Sequence, residues 1–181
     1  LIINGGIGFL TWEDICEYKW KFKNYRMQSK LILATTVCLI IFPACFFFFA
    51  DFQHLPVKSR FLASVFQSVT PRTAGFNTVD ITMMTEASKV VMILLMLIGG
   101  SPGSTAGGMK TTTFAVLLLN AVATFKSQEH AGAFGRRIDD QVIKNAASIA
   151  MLYFMMFLAG GIMISTAEGL PMLSSLFEAA S

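Results

Sequence analysis

SVTPRTAGFNTVD, residues 68–80, is a polar stretch centred on Gly75 and set between segments apolar enough for a bilayer. About twenty residues later a second polar run, GGSPGSTAGG at residues 99–108, interrupts what would otherwise be one continuous apolar helix. Hydrophobic residues make up 54% of the 181-residue chain and charged residues 14%, which excludes an ordinary soluble domain and makes the bilayer the expected solvent. The net charge of +3 is small. Its basic residues flank apolar segments without aromatic interleaving, which argues against a nucleic-acid partner and reads instead as a topology signal.

Residues 31–50 (LILATTVCLIIFPACFFFFA) form an uncharged run of twenty. At about 1.5 Å per residue, a helix of that length spans the roughly 30 Å hydrocarbon core. Pro43 is tolerable there because neighbouring helices can satisfy the freed carbonyl. Lys19, Lys21, Lys23, Arg26 and Lys30 precede this span and mark its cytoplasmic end. Residues 146–167 are also long enough to cross, and Lys126, Arg136, Arg137 and Lys144 place their start on the same side. Between these two cytoplasmic ends the number of crossings must be even, so one return span is required. Residues 90–98 and 113–125 are each too short alone, at about 14 and 20 Å. Joined through the Gly-rich run they make one broken span over 87–125.

Residues 60–70 (RFLASVFQSVT) are then a short helix that starts outside and must return outside, a re-entrant pore helix followed by an extended strand over 71–78. Non-helical backbone at that depth is permitted only where protein or water surrounds it, so the strand is expected to line an aqueous pathway. The chain thus divides into the end of a preceding unit with its connector (1–18), a complete helix, pore-loop, helix unit (19–125), a cytoplasmic connector (126–145), and the first span and pore-helix start of a further unit (146–181). SSLFEAAS at 174–181 opens that second pore helix; LIINGGIGFL at 1–10 reads as the exit of an earlier unit, its helix broken at Asn4, Gly5 and Gly6. The chain starts at Leu1 without an initiator Met or signal-peptide pattern and ends inside a helix, so a segment of a longer, internally repeated protein is expected.

A short helix ending near the midplane aims the partial negative charge of its C-terminus there, which favours a cation. Beyond it Thr73, Ala74, Gly75, Phe76 and Asn77 can offer successive carbonyls in place of water. Gly75 supplies the positive φ such a strand needs and leaves no side chain to obstruct it. Val69 and Phe76 are expected to pack the strand from behind, and Arg72 to tie it down. Pro71, Gly75 and Asn77 are also ordinary turn residues, which leaves an external turn as the plain alternative. In the second run Gly99, Gly100, Ser101, Pro102, Gly103, Ser104, Thr105, Ala106, Gly107 and Gly108 combine low helical propensity with small polar groups, which suits a loop that obstructs a water-filled cavity reversibly. Lys110 follows, assigned to a cytoplasmic vestibule or to snorkelling at the inner interface.

Enzyme motifs fit less well. A phosphate-binding loop needs Gly directly before the Lys, and Met109 intervenes. Gly99, Ser101 and Gly103 match GxSxG, so an intramembrane serine protease using Ser101 is the competing function, although His54 and His130 both fall in polar connectors and leave it no evident base. Cys16, Cys38 and Cys45 cannot close a disulfide set and read as packing residues. No metal-ligand spacing occurs, and no catalytic residue or cofactor is assigned to the chain.

SVTPRTAGFNTVD followed by IGGSPGSTAGGMKTTT closely resembles the third pore unit of the Ktr/Trk/HKT superfamily of potassium transporters, most nearly the Ktr-type membrane subunit; NGGIGF at 4–9 is similar to the end of the second unit and LFEAAS to the start of the fourth pore helix. The resemblance implies an all-α, multi-pass protein of the plasma membrane, built from four helix, pore-loop, helix units around one pore. By it, residues 73–77 form one filter strand for potassium, with Gly75 as the filter glycine, and residues 99–108 form an intramembrane gate loop, with Lys110 beginning the cytoplasmic half of that helix. It further implies a homodimer docked on a cytosolic nucleotide-binding ring, which would hold the nucleotide, since the chain has no dinucleotide fingerprint. A Ser in place of the first filter glycine accompanies sodium transport in plant relatives, so a single Gly75 supports potassium but does not fix selectivity.

Overall fold

A computed structural model of the chain describes residues 2–19, 21–72, 75–76, 79–81, 84–128 and 130–181; Thr73, Ala74 and Asn77 of the expected filter lie outside the described residues. The helices run in the order α1 (Ile2–Ile7), α2 (Phe9–Tyr18), α3 (Met27–Ala50), α4 (Val57–Val69), α5 (Glu86–Leu97), α6 (Thr111–Phe125), α7 (Asp140–Glu168) and α8 (Met172–Ala180), with strands β1 (Gly132–Ala133) and β2 (Arg136–Arg137) before α7. Only α3 and α7 are long and apolar enough to cross a membrane unaided, among the described residues. At 12 and 15 residues, α5 and α6 reach about 18 and 22 Å, so only together do they match the hydrocarbon thickness.

The helix boundaries follow local chemistry. Met27 begins α3, four residues before the uncharged run, because Lys30 bends its Nζ back to the Lys23 carbonyl at 2.7 Å and so keeps its charge at the interface. Asp14, fully buried on α2, accepts the Arg26 N–H at 3.0 Å and satisfies a donor at the start of α3. Thr85 caps α5 by accepting the Ser88 N–H at 3.3 Å, and Asp139 caps α7 through the Gln141 N–H at 3.1 Å. The connector 126–145 is not featureless. An antiparallel hairpin pairs Gly132 with Arg137 and Ala133 with Arg136.

Two departures from the sequence reading concern the ends and the cysteines. Helix α1 runs through Asn4, Gly5 and Gly6, and the chain breaks at Gly8. The Gly6 carbonyl accepts the Ser101 N–H at 2.9 Å, a bond that does not itself require glycine, since a Cβ there would meet nothing within 4 Å. Cys16, Cys38 and Cys45 are all exposed, on helix surfaces that no other part of the described chain covers.

Packing divides into two apolar clusters. One joins Leu31, Ala115, Val116, Ala123, Ile138 and Ala146 at the basic ends of α3, α6 and α7. The other gathers Phe47, Phe52, Met84, Met92 and Leu95 at the opposite ends of α3 and α5, with Phe177 of α8 against it. Between them lies the break in the α5/α6 span. This second cluster is further fastened by Asp51, which follows α3 and accepts the Thr85 N–H at 3.1 Å and the Ser88 hydroxyl at the start of α5. Arg60 on α4 donates from Nε to the Phe48 carbonyl at 2.6 Å while its guanidinium sits 3.9 Å from the Phe48 ring centroid. The Arg60 bond thus fixes α4 against α3, and the Asp51 bonds fix α3 against α5.

Replacing Asp51 with Ala in the full-length protein should lower its stability by about 2 kcal/mol, the usual scale for hydrogen bonds to a charged group. Thermal unfolding in detergent measures this. An unchanged midpoint would show that α3 and α5 are held by apolar packing alone.

Candidate functional site: a Gly75 turn joined to a Gly-rich loop

Helix α4 carries its buried residues, Ser64, Gln67, Ser68 and Val69, toward its C-terminal end, which descends into the protein. Pro71 follows Thr70 and cannot continue the helix. Thr70 then organises the turn: its carbonyl accepts the Gly75 N–H at 3.2 Å, and its hydroxyl donates to the Phe76 carbonyl at 2.5 Å. Gly75 adopts φ +68°, a left-handed conformation that an L side chain enters only at a cost of about 1–2 kcal/mol. A Cβ built there meets nothing within 4 Å, so within this chain torsion, not space, demands glycine. Both Gly75 and Phe76 are exposed.

That exposure corrects one expectation. Phe76 leaves 67% of its surface open, so it does not pack behind the strand, whereas Val69 at the end of α4 is buried. Arg72 is buried, and its Nη2 reaches the Gly99 carbonyl at 3.5 Å, the first residue of the Gly-rich run. The re-entrant turn and the loop therefore touch. Gln67, fully buried one turn back on α4, directs its Nε2 at the sulfurs of Met92 (3.1 Å) and Met84 (3.6 Å), fixing the helix against α5.

The loop closes on itself. Ile98 bridges Met109, with Gly99 N–H donating to the Met109 carbonyl at 2.9 Å and Met109 N–H to the Leu97 carbonyl at 3.0 Å. Thr111 N–H adds a bond to the Gly100 carbonyl at 3.1 Å, and the Thr111 and Ser101 hydroxyls lie 3.0 Å apart, both fully buried. This closure is why glycine stands at Gly99 and Gly100. A Cβ on Gly99 would sit 1.7 Å from the Gly107 carbonyl oxygen, and one on Gly100 would sit 2.5 Å from both Ala106 Cβ and Ser104 Oγ. Outside the loop, Ser101 N–H binds the Gly6 carbonyl and Phe9 N–H the Gly103 carbonyl at 3.4 Å, so the N-terminal helices hold the loop from one side. Lys110 donates from Nζ to the Ala106 carbonyl at 2.8 Å, tying the loop to the head of α6.

Ser101 is not arranged as a nucleophile. Its hydroxyl is paired with Thr111, while His54 ends a short turn after α3 and His130 precedes the hairpin, both exposed. An activated Ser needs a base within hydrogen-bond reach, and the arrangement offers it a second hydroxyl instead.

Thr70, Thr111 and Gly6 are contributors that the sequence reading passed over. Thr70 had a local signal, a hydroxyl directly before the helix-stopping Pro71. Gly6 and Thr111 had none, because their roles come from contacts across 95 and 10 positions with Ser101.

The TrkH family, described as cation transport protein, matches residues 27–181. The chain is 35% identical over 181 residues to the potassium/sodium uptake protein NtpJ of Enterococcus hirae, covering 97% of this chain and 40% of that protein. It is 34% identical over 184 residues to Ktr system potassium uptake protein B of Bacillus subtilis, covering 98% and 41%. The crystal structure of the potassium transporter TrkH from Vibrio parahaemolyticus has the same fold, with a TM-score of 0.79 at 20% identity over 99% of this chain and 40% of that one. The chain thus spans about two fifths of the length of these relatives.

Two substitutions separate the loop's steric and torsional demands. Gly99→Ala should open the loop, because backbone cannot yield the required distance, and limited proteolysis should then cut within 99–108. Gly103→Ala, with φ +72° but nothing within 4 Å, should leave the loop closed at a cost of about 1–2 kcal/mol. Equal protease resistance in both variants would contradict the closed-loop account.

Proposed function

The chain belongs to the TrkH cation transport family, and from that membership we propose that it supplies one filter strand, residues 73–77, and the gate beneath it to a potassium uptake protein of the plasma membrane. The observation that carries this reading is the contact between the two polar elements: a left-handed Gly75 turn organised by Thr70 at the end of a re-entrant helix, joined through Arg72 to the start of a closed Gly-rich loop. A potassium ion is the substrate. It sheds water as it enters and exchanges it for backbone carbonyls of 73–77 and of the equivalent strands in the complete protein. The C-terminal end of α4 adds partial negative charge below the strand. The chain needs no covalent intermediate and no cofactor for this; the ion moves down its electrochemical gradient.

The loop at 99–108 is the obstruction. The bonds from Gly99 to Met109 and from Thr111 to Gly100 keep its shape and join it to α5 and α6, whereas Ser101 N–H, the Gly103 carbonyl and the Gly99 carbonyl carry its described bonds to the rest of the chain. At about 1 kcal/mol each those external ties amount to about 3 kcal/mol, less than the roughly 5.5 kcal/mol that carries a two-state equilibrium from 1:99 to 99:1. A regulatory partner that binds the open state more tightly by that margin would move the loop. We assign that role to a cytosolic nucleotide-binding ring acting on the inner half, α6, with Lys110 at its head, beneath a homodimer of the complete subunit.

Replacing Gly75 with Ser or Ala in the full-length protein should reduce potassium over sodium discrimination in a cellular uptake assay. Unchanged selectivity would remove this strand from the filter. Deleting 101–107 should leave a leak that no longer depends on the partner, and Gly8→Ala, whose Cβ would meet the Pro102 carbonyl oxygen at 2.5 Å, should push the intact loop the same way. Flux that stays fully regulated in both variants would place the gate elsewhere.

A further inference from the structure

At the basic end of the fold two cavities adjoin. One, of about 400 Å³, is lined by Lys23, Lys30 and Arg136 together with Tyr18, Asn24 and Phe134, among others, and no carboxylate among the described residues lines it. The other, of about 660 Å³, is an apolar groove between α3 and α6, running from Leu31 to Pro43 on one wall and along Phe114 and Leu118 on the other. Phe134 lines both. From Leu31 to Pro43 the helix rises about 18 Å, close to half of the roughly 30 Å hydrocarbon core, the depth of one leaflet.

Phe134 is held there against its backbone preference. It occupies the tip of the β1–β2 hairpin at φ +52°, beside Gly135 at +76°, and its ring is half exposed. An aromatic residue in that left-handed region is an outlier that the surroundings must sustain, and such outliers concentrate at binding sites. Lys30 is also positioned and not free to wander: Nζ donates to the Lys23 carbonyl and stands 5.9 Å from the Phe22 ring, leaving further N–H donors for an anion.

A basic cavity alone would suit any phosphate, and an apolar groove alone any chain. Their contiguity at the cytoplasmic boundary selects one ligand class. We propose that this surface is a binding site for an anionic phospholipid of the inner leaflet, with its phosphate in the cavity of Lys23, Lys30 and Arg136 and an acyl chain along the α3/α6 groove. Basic pockets between helices at the cytoplasmic face are suited to anionic headgroups, and a groove of leaflet depth supplies the matching tail contact. The site borders Ala115 and Leu119 of α6, the half-helix that follows the loop, so lipid occupancy bears directly on the element expected to move. The assignment depends on the orientation used above, with the basic ends cytoplasmic.

The test uses the full-length protein, delipidated and placed in nanodiscs of phosphatidylcholine containing phosphatidylglycerol, with retained lipid counted by native mass spectrometry. Wild-type protein should retain phosphatidylglycerol in preference to phosphatidylcholine. The double variant Lys23→Gln with Arg136→Gln should weaken that retention about fivefold per removed charge. Leu118→Trp, which fills the groove and leaves every charge in place, should also lose it. Arg137→Gln is the control for folding and general charge, because Arg137 pairs with Asp140 at 3.0 Å and does not line the cavity. Equal retention of the two lipids, full retention in Leu118→Trp, loss in Arg137→Gln to the same extent, or displacement by millimolar glycerol phosphate would each overturn the proposal. No ion flux is read, so this outcome is distinguishable from failure of the filter assignment.

Discussion

Every backbone N–H and C=O at membrane depth must find a partner within the protein, because hydrocarbon offers none. The break between α5 and α6 puts that requirement at its sharpest, since leaving the helix frees carbonyls at the end of α5 and N–H groups at the start of α6. The chain meets it by folding 99–108 into a closed loop whose two ends bond each other: Met109 N–H takes the Leu97 carbonyl, Gly99 N–H the Met109 carbonyl and Thr111 N–H the Gly100 carbonyl. Bonds this short between neighbouring strands of backbone leave no room for Cβ atoms at Gly99 or Gly100. Close packing accounts for glycine at 99 and 100, where a Cβ would meet the Gly107 carbonyl oxygen or the Ala106 and Ser104 side chains, and a left-handed backbone accounts for Gly103.

The re-entrant turn meets the same requirement differently. Thr70 serves it twice, through a carbonyl that accepts Gly75 N–H and a hydroxyl that donates to the Phe76 carbonyl, while Gly75 itself has open space around it. The loop is closed by steric fit and the turn by torsion and one hydroxyl. That difference suits their neighbours. Gly75 and Phe76 are exposed, as the proposed filter role requires of a surface that water and ions reach, whereas Ser101 and Thr111 are fully buried, as the proposed obstruction requires.

What could be read from the sequence follows from how local each cause is. The uncharged run 31–50 and the Gly-rich interruption act over a few positions, so the long apolar helices and the break between α5 and α6 were legible, as was the family through two long motifs. Contacts across the chain were not. Asn4, Gly5 and Gly6 looked like helix breakers by propensity, yet α1 runs through them, and the Gly6 carbonyl meets the loop at Ser101, a contact across 95 positions that no local pattern announces. Phe76 looked like packing by composition and is exposed, since nothing in a side chain's own chemistry says which neighbours will arrive. The hairpin at Gly132–Arg137 was read as plain connector because two-residue strands have no periodicity to detect.

The partition of bonds within the loop bears on how it could move. If internal and external ties were comparable, opening would mean melting ten residues into a polar tangle at membrane depth, with every freed backbone group costing several kcal/mol. Here the bonds that give the loop its shape run among 97–111, and those described to Gly6, Phe9 and Arg72 are single contacts at its edge. Of the closing bonds, only Gly99 N–H to the Met109 carbonyl lies wholly within the loop; Met109 N–H to Leu97 and Thr111 N–H to Gly100 tie it to the ends of α5 and α6. On the gating role proposed above, the loop would therefore move together with those two helix ends, which keeps its backbone satisfied and leaves only the edge groups for water to meet.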